Sequence, residues 1–374
     1  MSNLIDLKLY ERNNKKRGSG DYLLLFSVVL LSLIGLVFVY SASKYSSLTT
    51  YGNEFYVAGK HLVGLLLGYG ALAFGSLVDY KKYLKLGIVL IVVAIAGLLL
   101  VFTPLGFSNY GATRWIKIGS ITIQPSEIAK ICYVIFVASY FAKNPVRAKG
   151  FVSALPVIIV GGIICVCIIL EPNMSITVCF GLLMLALLFL CGMKISHIFA
   201  LILPIASCVP LLIILEPYRL NRLSAFLNPW ASPKGEGYQL LQSLYALGSG
   251  GWFGVGLFNS RQKFKFLPFS ESDFILSVIG EEIGFIGLVL LFSLIAFIVI
   301  RCVKTAIRSK DFFGFALSVG VACIMGIQSV INALVVTGSI PPTGLPLPLV
   351  SAGNTSIIIF MFSFGIVYNV SKQN

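Results

Sequence analysis

Apolar stretches of about twenty residues recur along the chain, each long enough to cross the hydrocarbon of a bilayer. They lie at roughly 22–43, 58–79, 85–103, 125–142, 151–170, 174–192, 196–215, 273–300, 311–337 and 347–369. A chain patterned in this way predicts an all-α polytopic membrane protein with about ten transmembrane helices. Hydrophobic residues make up 57% of it and charged residues 11%, against about 25% charged in an ordinary soluble domain. The sequence shows no strand alternation of the kind a membrane barrel needs.

Charge gives the expected orientation. The net charge is +14, which on a soluble protein would suggest nucleic acid. Here most of the lysines and arginines fall in alternate connections. Examples are Lys15, Lys16 and Arg17 in the basic tail 1–21, Lys81 and Lys82, Lys143 and Arg147, and Arg301 with Arg308. That bias places both termini in the cytoplasm and accounts for the charge without nucleic acid as a partner. The first apolar run has no small-residue cleavage site and reads as a retained helix. The eight cysteines sit in or beside apolar runs with no CxxC pair, which argues against disulfides and zinc.

Two connections on the opposite side are unusual. One is 104–124. The other, 216–272, is a large extracytoplasmic loop between the seventh and eighth spans. It is rich in aromatic residues and should fold against the outer leaflet, with a helix carrying Tyr238, Leu241, Leu244 and Tyr245. The whole of 1–374 reads as one membrane domain. The short EPN connection at 171–173 implies an antiparallel hairpin of spans five and six.

Carboxylates are scarce, yet four of the fourteen, Glu271, Asp273, Glu281 and Glu282, fall in ESDFILSVIGEE. Charges inside a span cost about 2.5–3.5 kcal/mol each on insertion scales. Asp273 is either a first-turn residue offsetting the helix dipole behind Ser272 or a general base at the outer face. Glu281 and Glu282 point about 100° apart on a helix. At least one must therefore face the interior, holding the bundle by an ion pair or lining a cavity.

In QPSEIAK, Pro125 suits the first helical position, Glu127 the third, and Lys130 projects from the same face. The pair is either an intrahelical bridge or part of a site for an anion. Arg114, just upstream in GATRWIKIG, is a bidentate donor suited to phosphate. Gln328 and Asn332, at i and i+4, put two amides on one face. These can bond either a broken backbone or a sugar. Broken backbone is expected in PPTGLPLPLVSAGNTS, whose prolines and Ser351 interrupt an apolar run. His61 and His197 have no assigned role, and there is no P-loop, GxGxxG or metal-ligand spacing.

Taken together, GATRWIKIGSITIQPSEIAK, NRLSAFLNPWASPKGEGYQLLQSLYALGSGGWFGVGL, RQKFKFLP, SDFILSVIGEEIGFIG and PPTGLPLPLVSAGNTS resemble the SEDS family (FtsW, RodA and SpoVE). They occur in the family's order and look closest to its division and sporulation members. The resemblance implies polymerisation of lipid II into glycan strands, with undecaprenyl pyrophosphate leaving, beside a class B penicillin-binding protein. It puts the family's essential aspartate on Asp273 and its carboxylate and lysine on Glu127 and Lys130. Arg114, Lys130 or a divalent cation (Mg or Mn) would offset the pyrophosphate charge; no cofactor is otherwise implied. The sequence departs from the family pattern at Pro268-Phe269, at Pro172-Asn173 and at Ser351-Ala352-Gly353-Asn354. A lipid II flippase and a non-catalytic scaffold of the cell-wall machinery are the rival readings.

Overall fold

The computed structural model describes residues 19–109, 112–118, 121–203, 217–235 and 237–374. Eight helices among them are long and apolar enough to cross a membrane. In chain order the elements are α1 (Tyr22–Tyr51), α2 (Tyr56–Leu77), α3 (Tyr83–Leu100), strands β1 (Gly106–Asn109), β2 (Ala112–Ile118) and β3 (Ile121–Ile123), α4 (Pro125–Lys143), α5 (Phe151–Leu170) and α6 (Met174–Leu190). They continue with a helix at 195–203 (α7), then α8 (Pro217–Leu227), α9 (Tyr238–Gly250), α10 (Ile275–Arg308), α11 (Phe312–Val336) and α12 (Asn354–Gln373). A single 3-10 turn, Tyr80–Lys82, leads into α3. The expected seventh span is helical up to 203 and otherwise lies outside the described residues, as do Cys208, Tyr218's side chain and most of the basic tail.

The bundle is organised around α4, the most enclosed span, with α11 and α12 beside it. Lipid is as apolar as a protein core, so burial of leucine does not drive spans together; close packing and polar contacts do. The exterior accordingly carries large apolar side chains, such as Val63, Leu66 and Leu67 on α2 and Val89, Val92 and Val93 on α3. Serines 27, 32, 41, 43 and 47 of α1 are all turned inward. Where α2 crosses α12 the approach is set by small residues. A methyl on Gly75 would sit 2.7 Å from the Phe362 carbonyl oxygen.

Polar staples close the end of the bundle where both described termini lie. Asp21 caps α1 by accepting from the Leu24 N–H at 3.0 Å and pairs with Arg301 at 2.6 Å. Asp311 caps α11 through the Gly314 N–H at 2.7 Å and accepts from the Tyr80 hydroxyl at 2.6 Å.

The opposite end departs from the sequence reading in three ways. The connection 104–124 forms a three-stranded antiparallel sheet in the order β1-β2-β3, with a register shift at Phe107/Ser108. Its pieces are too short to have announced themselves by alternation. We refer to this as the sheet end. The last span starts at Asn354, not 347, because 341–353 is non-helical. The eighth runs from Ile275 to Arg308 but is broken at Gly284, whose φ of 66° places it in the left-handed region. At that break the Glu281 and Glu282 carbonyls accept from the N–H groups of Val255 and Gly256, at 2.9 and 3.1 Å, and the Phe285 and Ile286 N–H groups donate to the Gly251 and Trp252 carbonyls. The loop thus completes the hydrogen bonding that the broken helix gives up. The loop helix around Tyr238 is present as α9, but its buried face is Leu240, Leu241, Ser243 and Ala246; Leu244 and Tyr245 face outward.

Replacing Gly75 by Ala is expected to destabilise the protein by about 1–3 kcal/mol through overpacking at this crossing. Gly70→Ala, where a methyl meets open space, should be neutral or stabilising by about 0.5–1 kcal/mol. Thermal unfolding in detergent reads the difference, and equal melting temperatures would contradict the crossing geometry.

Candidate active site

Asp273 stands in the turn that precedes α10, at the sheet end. The helix starts at Ile275 with Phe274 at its N-cap and no side-chain capping bond, so Asp273 does not cap it. What holds the turn is a set of backbone contacts from two other elements. The Asn332 side-chain amide donates to the Asp273 carbonyl at 2.9 Å and to the Leu345 carbonyl at 2.7 Å. The Ser351 hydroxyl donates to the Ser272 carbonyl and accepts from the Leu347 N–H, both at 2.7 Å. The Ala352 N–H donates to the Glu271 carbonyl at 2.9 Å. These bonds clamp the turn to the non-helical segment 341–353.

That segment is itself anchored from inside the bundle. The Gln328 amide donates to the Pro346 carbonyl at 2.9 Å, and its oxygen accepts from Lys130 at 2.6 Å. Lys130 is paired with Glu127 at 2.8 Å, and both side chains are 1% exposed. The chain Glu127–Lys130–Gln328–Pro346 therefore runs from the first turns of α4 to the segment that braces Asp273. Gln328, Asn332 and Ser351 serve the broken backbone, which was one of the two uses their spacing allowed. Glu127 and Lys130 do not open on the surface around Asp273 in this structure.

Around the Asp273 carboxyl the walls come from several elements. A methyl on Gly344 would lie 3.0 Å from its Oδ2, so the backbone of 342–346 passes directly beside the carboxylate. The Gly344 N–H donates to the Ser175 hydroxyl of α6 at 3.2 Å. Arg222 of α8 donates to the Pro342 carbonyl at 3.0 Å. Arg114 of β2 donates to the carbonyls of Glu171 and Pro172, the two residues that follow α5. Burial pushes the Asp273 carboxyl up, the charges of Arg114 and Arg222 pull it down, and Glu271 raises it again; the balance is about 6. A carboxyl so placed is ionised at neutral pH and still basic enough to accept a proton.

Glu281 and Glu282 lie elsewhere, and their placement corrects the expectation of a cavity lining. Glu281 accepts from the Ser260 hydroxyl and from the N–H groups of Arg261 and Gln262, the latter two at 3.0 and 3.3 Å. Glu282 accepts from Ser41 at 2.5 Å and pairs with Lys263 at 3.1 Å. Both carboxylates bind the loop 258–263 down onto α10 and α1.

Four residues of this neighbourhood, Glu171, Ser175, Arg222 and Gly344, carried no mark as site residues. Glu171 alone had a usable signal, an acid at the end of an apolar span. Among the described residues no three His, Cys, Asp or Glu side chains converge to hold a metal ion.

Residues 21–374 match the profile of a family of cell cycle proteins, FtsW, RodA and SpoVE. The probable peptidoglycan glycosyltransferase FtsW of Geobacter sp. (strain M18) is 35% identical over 355 residues, covering 94% of this chain and 97% of that protein. Stage V sporulation protein E of Bacillus subtilis (strain 168) is 36% identical over 365 residues, covering 96% and 99%. Among solved structures, one describing how a peptidoglycan synthase complex coordinates polymerization and crosslinking superposes with a TM-score of 0.78 at 26% identity, covering 94% of this chain and 98% of that one. The crystal structure of the rod shape determining protein RodA of Thermus thermophilus shares the fold, with a TM-score of 0.70 at 24% identity and coverage of 94% and 97%.

Truncating Lys263 to Met should leave Glu282 buried without its partner and cost about 3–5 kcal/mol. The double variant Lys263→Met, Glu282→Leu should recover much of that loss. Unfolding midpoints of the three proteins check the pair, and a single variant as stable as the parent would show that the bridge does not hold the loop.

Proposed function

The chain belongs to the FtsW, RodA and SpoVE family, and from that membership we propose that Asp273 is the general base of a peptidoglycan glycosyltransferase serving cell division or sporulation. The observation that carries this assignment is the braced, half-buried Asp273 carboxyl flanked by two guanidinium groups at one end of a membrane bundle. The excess of basic residues in alternate connections supports an orientation with both termini in the cytoplasm, and in that orientation the sheet end lies at the outer face of the cytoplasmic membrane.

The chemistry follows from those parts. Two lipid-linked saccharides, lipid II and the growing undecaprenyl-linked strand, meet at the outer leaflet. Asp273 takes the proton of the acceptor 4-hydroxyl, and that oxygen attacks the anomeric carbon of the growing strand. The bond from that carbon to the pyrophosphate oxygen breaks, and undecaprenyl pyrophosphate departs. Arg114 and Arg222 offset the charge that develops on it. So good a leaving group needs no second carboxyl to protonate it, unlike the leaving sugar in glycoside hydrolysis. Glu127, Lys130, Gln328, Asn332 and Ser351 act by holding the braced segment in place, since near-ångström placement of the base decides the rate. A class B penicillin-binding protein is the partner that would crosslink the product, as crosslinking accompanies polymerization in the structurally similar synthase complex.

Purified protein given lipid II in liposomes should make glycan strands. Asp273→Ala should abolish the polymer while leaving insertion and melting temperature unchanged, and an active Asp273→Ala protein refutes the base. A flippase would instead move lipid II without lengthening it, and a scaffold would do neither. With the carboxyl at about 6, the rate should fall about tenfold per pH unit on the acid side of that value as Asp273 takes up its proton. A rate independent of pH there would count against the assignment. Gly344→Ala should lower turnover by about tenfold or more with little change in apparent KM, because it displaces the carboxylate and not the substrate.

A further inference from the structure

Glu171 closes α5 at the sheet end, immediately before Pro172. Its side chain is 1% exposed, and among the described residues neither carboxyl oxygen has a hydrogen-bond partner. Arg114 reaches this very residue, yet the two N–H groups it directs there go to the backbone carbonyls of Glu171 and Pro172. An ionised carboxylate shut away from water is costly unless paired. A guanidinium already touching the residue would be drawn onto it. Enclosure without a partner favours the neutral acid over the carboxylate. Burial supports the same state, pushing the group up to about 8 against the opposing pull of Arg114.

The other ionisable groups around it are few. Cys167 lies one turn earlier on α5. The start of α6 brings Asn173 and Ser175, with Cys179 further along the same helix. The last turns of α3 carry no acid or base. Across Arg114 stands Asp273, whose carboxyl the same guanidinium pulls down. One cation is thus shared by two carboxyls, one ionised and one protonated.

We propose that Glu171 is a positioning residue that acts through Arg114. As a neutral acid it leaves the guanidinium docked on the 171–172 carbonyls, with its charge directed at Asp273 and the departing diphosphate. As a carboxylate it withdraws that charge and the site loses rate. This rests on the reading of Asp273 as the base. It also gives the short EPN connection, which looked like a plain hairpin, a part in the site.

The test compares the wild-type chain with Glu171→Gln, each reconstituted in liposomes with lipid II, from about pH 7 to about pH 9. Gln keeps the shape and neutrality of the protonated acid and cannot ionise. At about pH 7 the two rates should agree within about twofold. The ratio of variant to wild type should then rise about tenfold by about pH 9, one unit above the midpoint. A ratio that stays flat overturns the inference, as does a Gln variant that is unfolded or inactive at about pH 7. A wild type that lengthens no glycan at any pH removes the reading of Asp273, and this inference with it.

Discussion

The ammonium of Lys130 cannot be left alone inside an apolar bundle, and much of the site is arranged by that necessity. Its partners are a carboxylate one turn earlier on the same helix and the side-chain oxygen of Gln328 on α11. Satisfying Lys130 with the Gln328 oxygen fixes that amide's orientation, so its N–H₂ points the other way and takes the Pro346 carbonyl. A segment that is non-helical at membrane depth must have its backbone groups bonded by protein. Here a buried ion pair is the origin of one of those bonds. Asn332, one helical turn further along α11, supplies another, to the Leu345 carbonyl, and also donates to the Asp273 carbonyl itself. Without the pair in α4, the brace around Asp273 has no fixed end.

The same logic separates what the sequence disclosed from what it withheld. Spans were legible because twenty apolar residues in a row admit few other fates, and Gln328 with Asn332 were legible as a shared helical face. Asp273 could not be raised above a helix cap by its neighbours, since Ser-Asp before an apolar run is a common helix start. Only the family resemblance favoured the base, and the helix start at Ile275 then removed the capping role. The bridge from Lys130 to Glu127 was one of the two uses legible in QPSEIAK, but nothing there shows that an amide 198 residues away also accepts from the lysine. Arg222 and Gly344 were silent for the same reason. Their importance is a matter of which backbone they lie against, and long-range backbone contacts leave no local trace.

The break in α10 had a partial signature. Glycines at 280, 284 and 287 in an apolar span suggest irregularity, but not its purpose. The structure gives one. The loop 250–256 approaches so closely that Gly250, Gly254 and Gly284 leave no room for side chains. The freed carbonyls of Glu281 and Glu282 bond that loop, while their carboxylates bind the stretch that follows it. Two costly acids are thereby accounted for as fasteners of an extramembrane loop that also carries Arg222 and α9. The loop's position, and with it one charge beside Asp273, depends on them.

Acids in this bundle therefore fall into three environments, and the environment decides the function of each. Glu127 and Glu282 are held against lysines, and Glu281 against backbone N–H groups and a serine hydroxyl; all three are structural fasteners. Asp273 sits where burial and two guanidinium groups oppose each other, which leaves its carboxyl at about 6 and suits the base we propose. Glu171 sits where burial prevails over a single guanidinium that is engaged on carbonyls. Three outcomes from one side-chain chemistry follow from counting the cations and donors within reach. Pairs of carboxyls driven to opposite protonation states around a shared charge are how acid and base assignments are separated within one site. In the proposed reading Asp273 and Glu171 are separated in that way across Arg114, the first as base and the second as a positioning group.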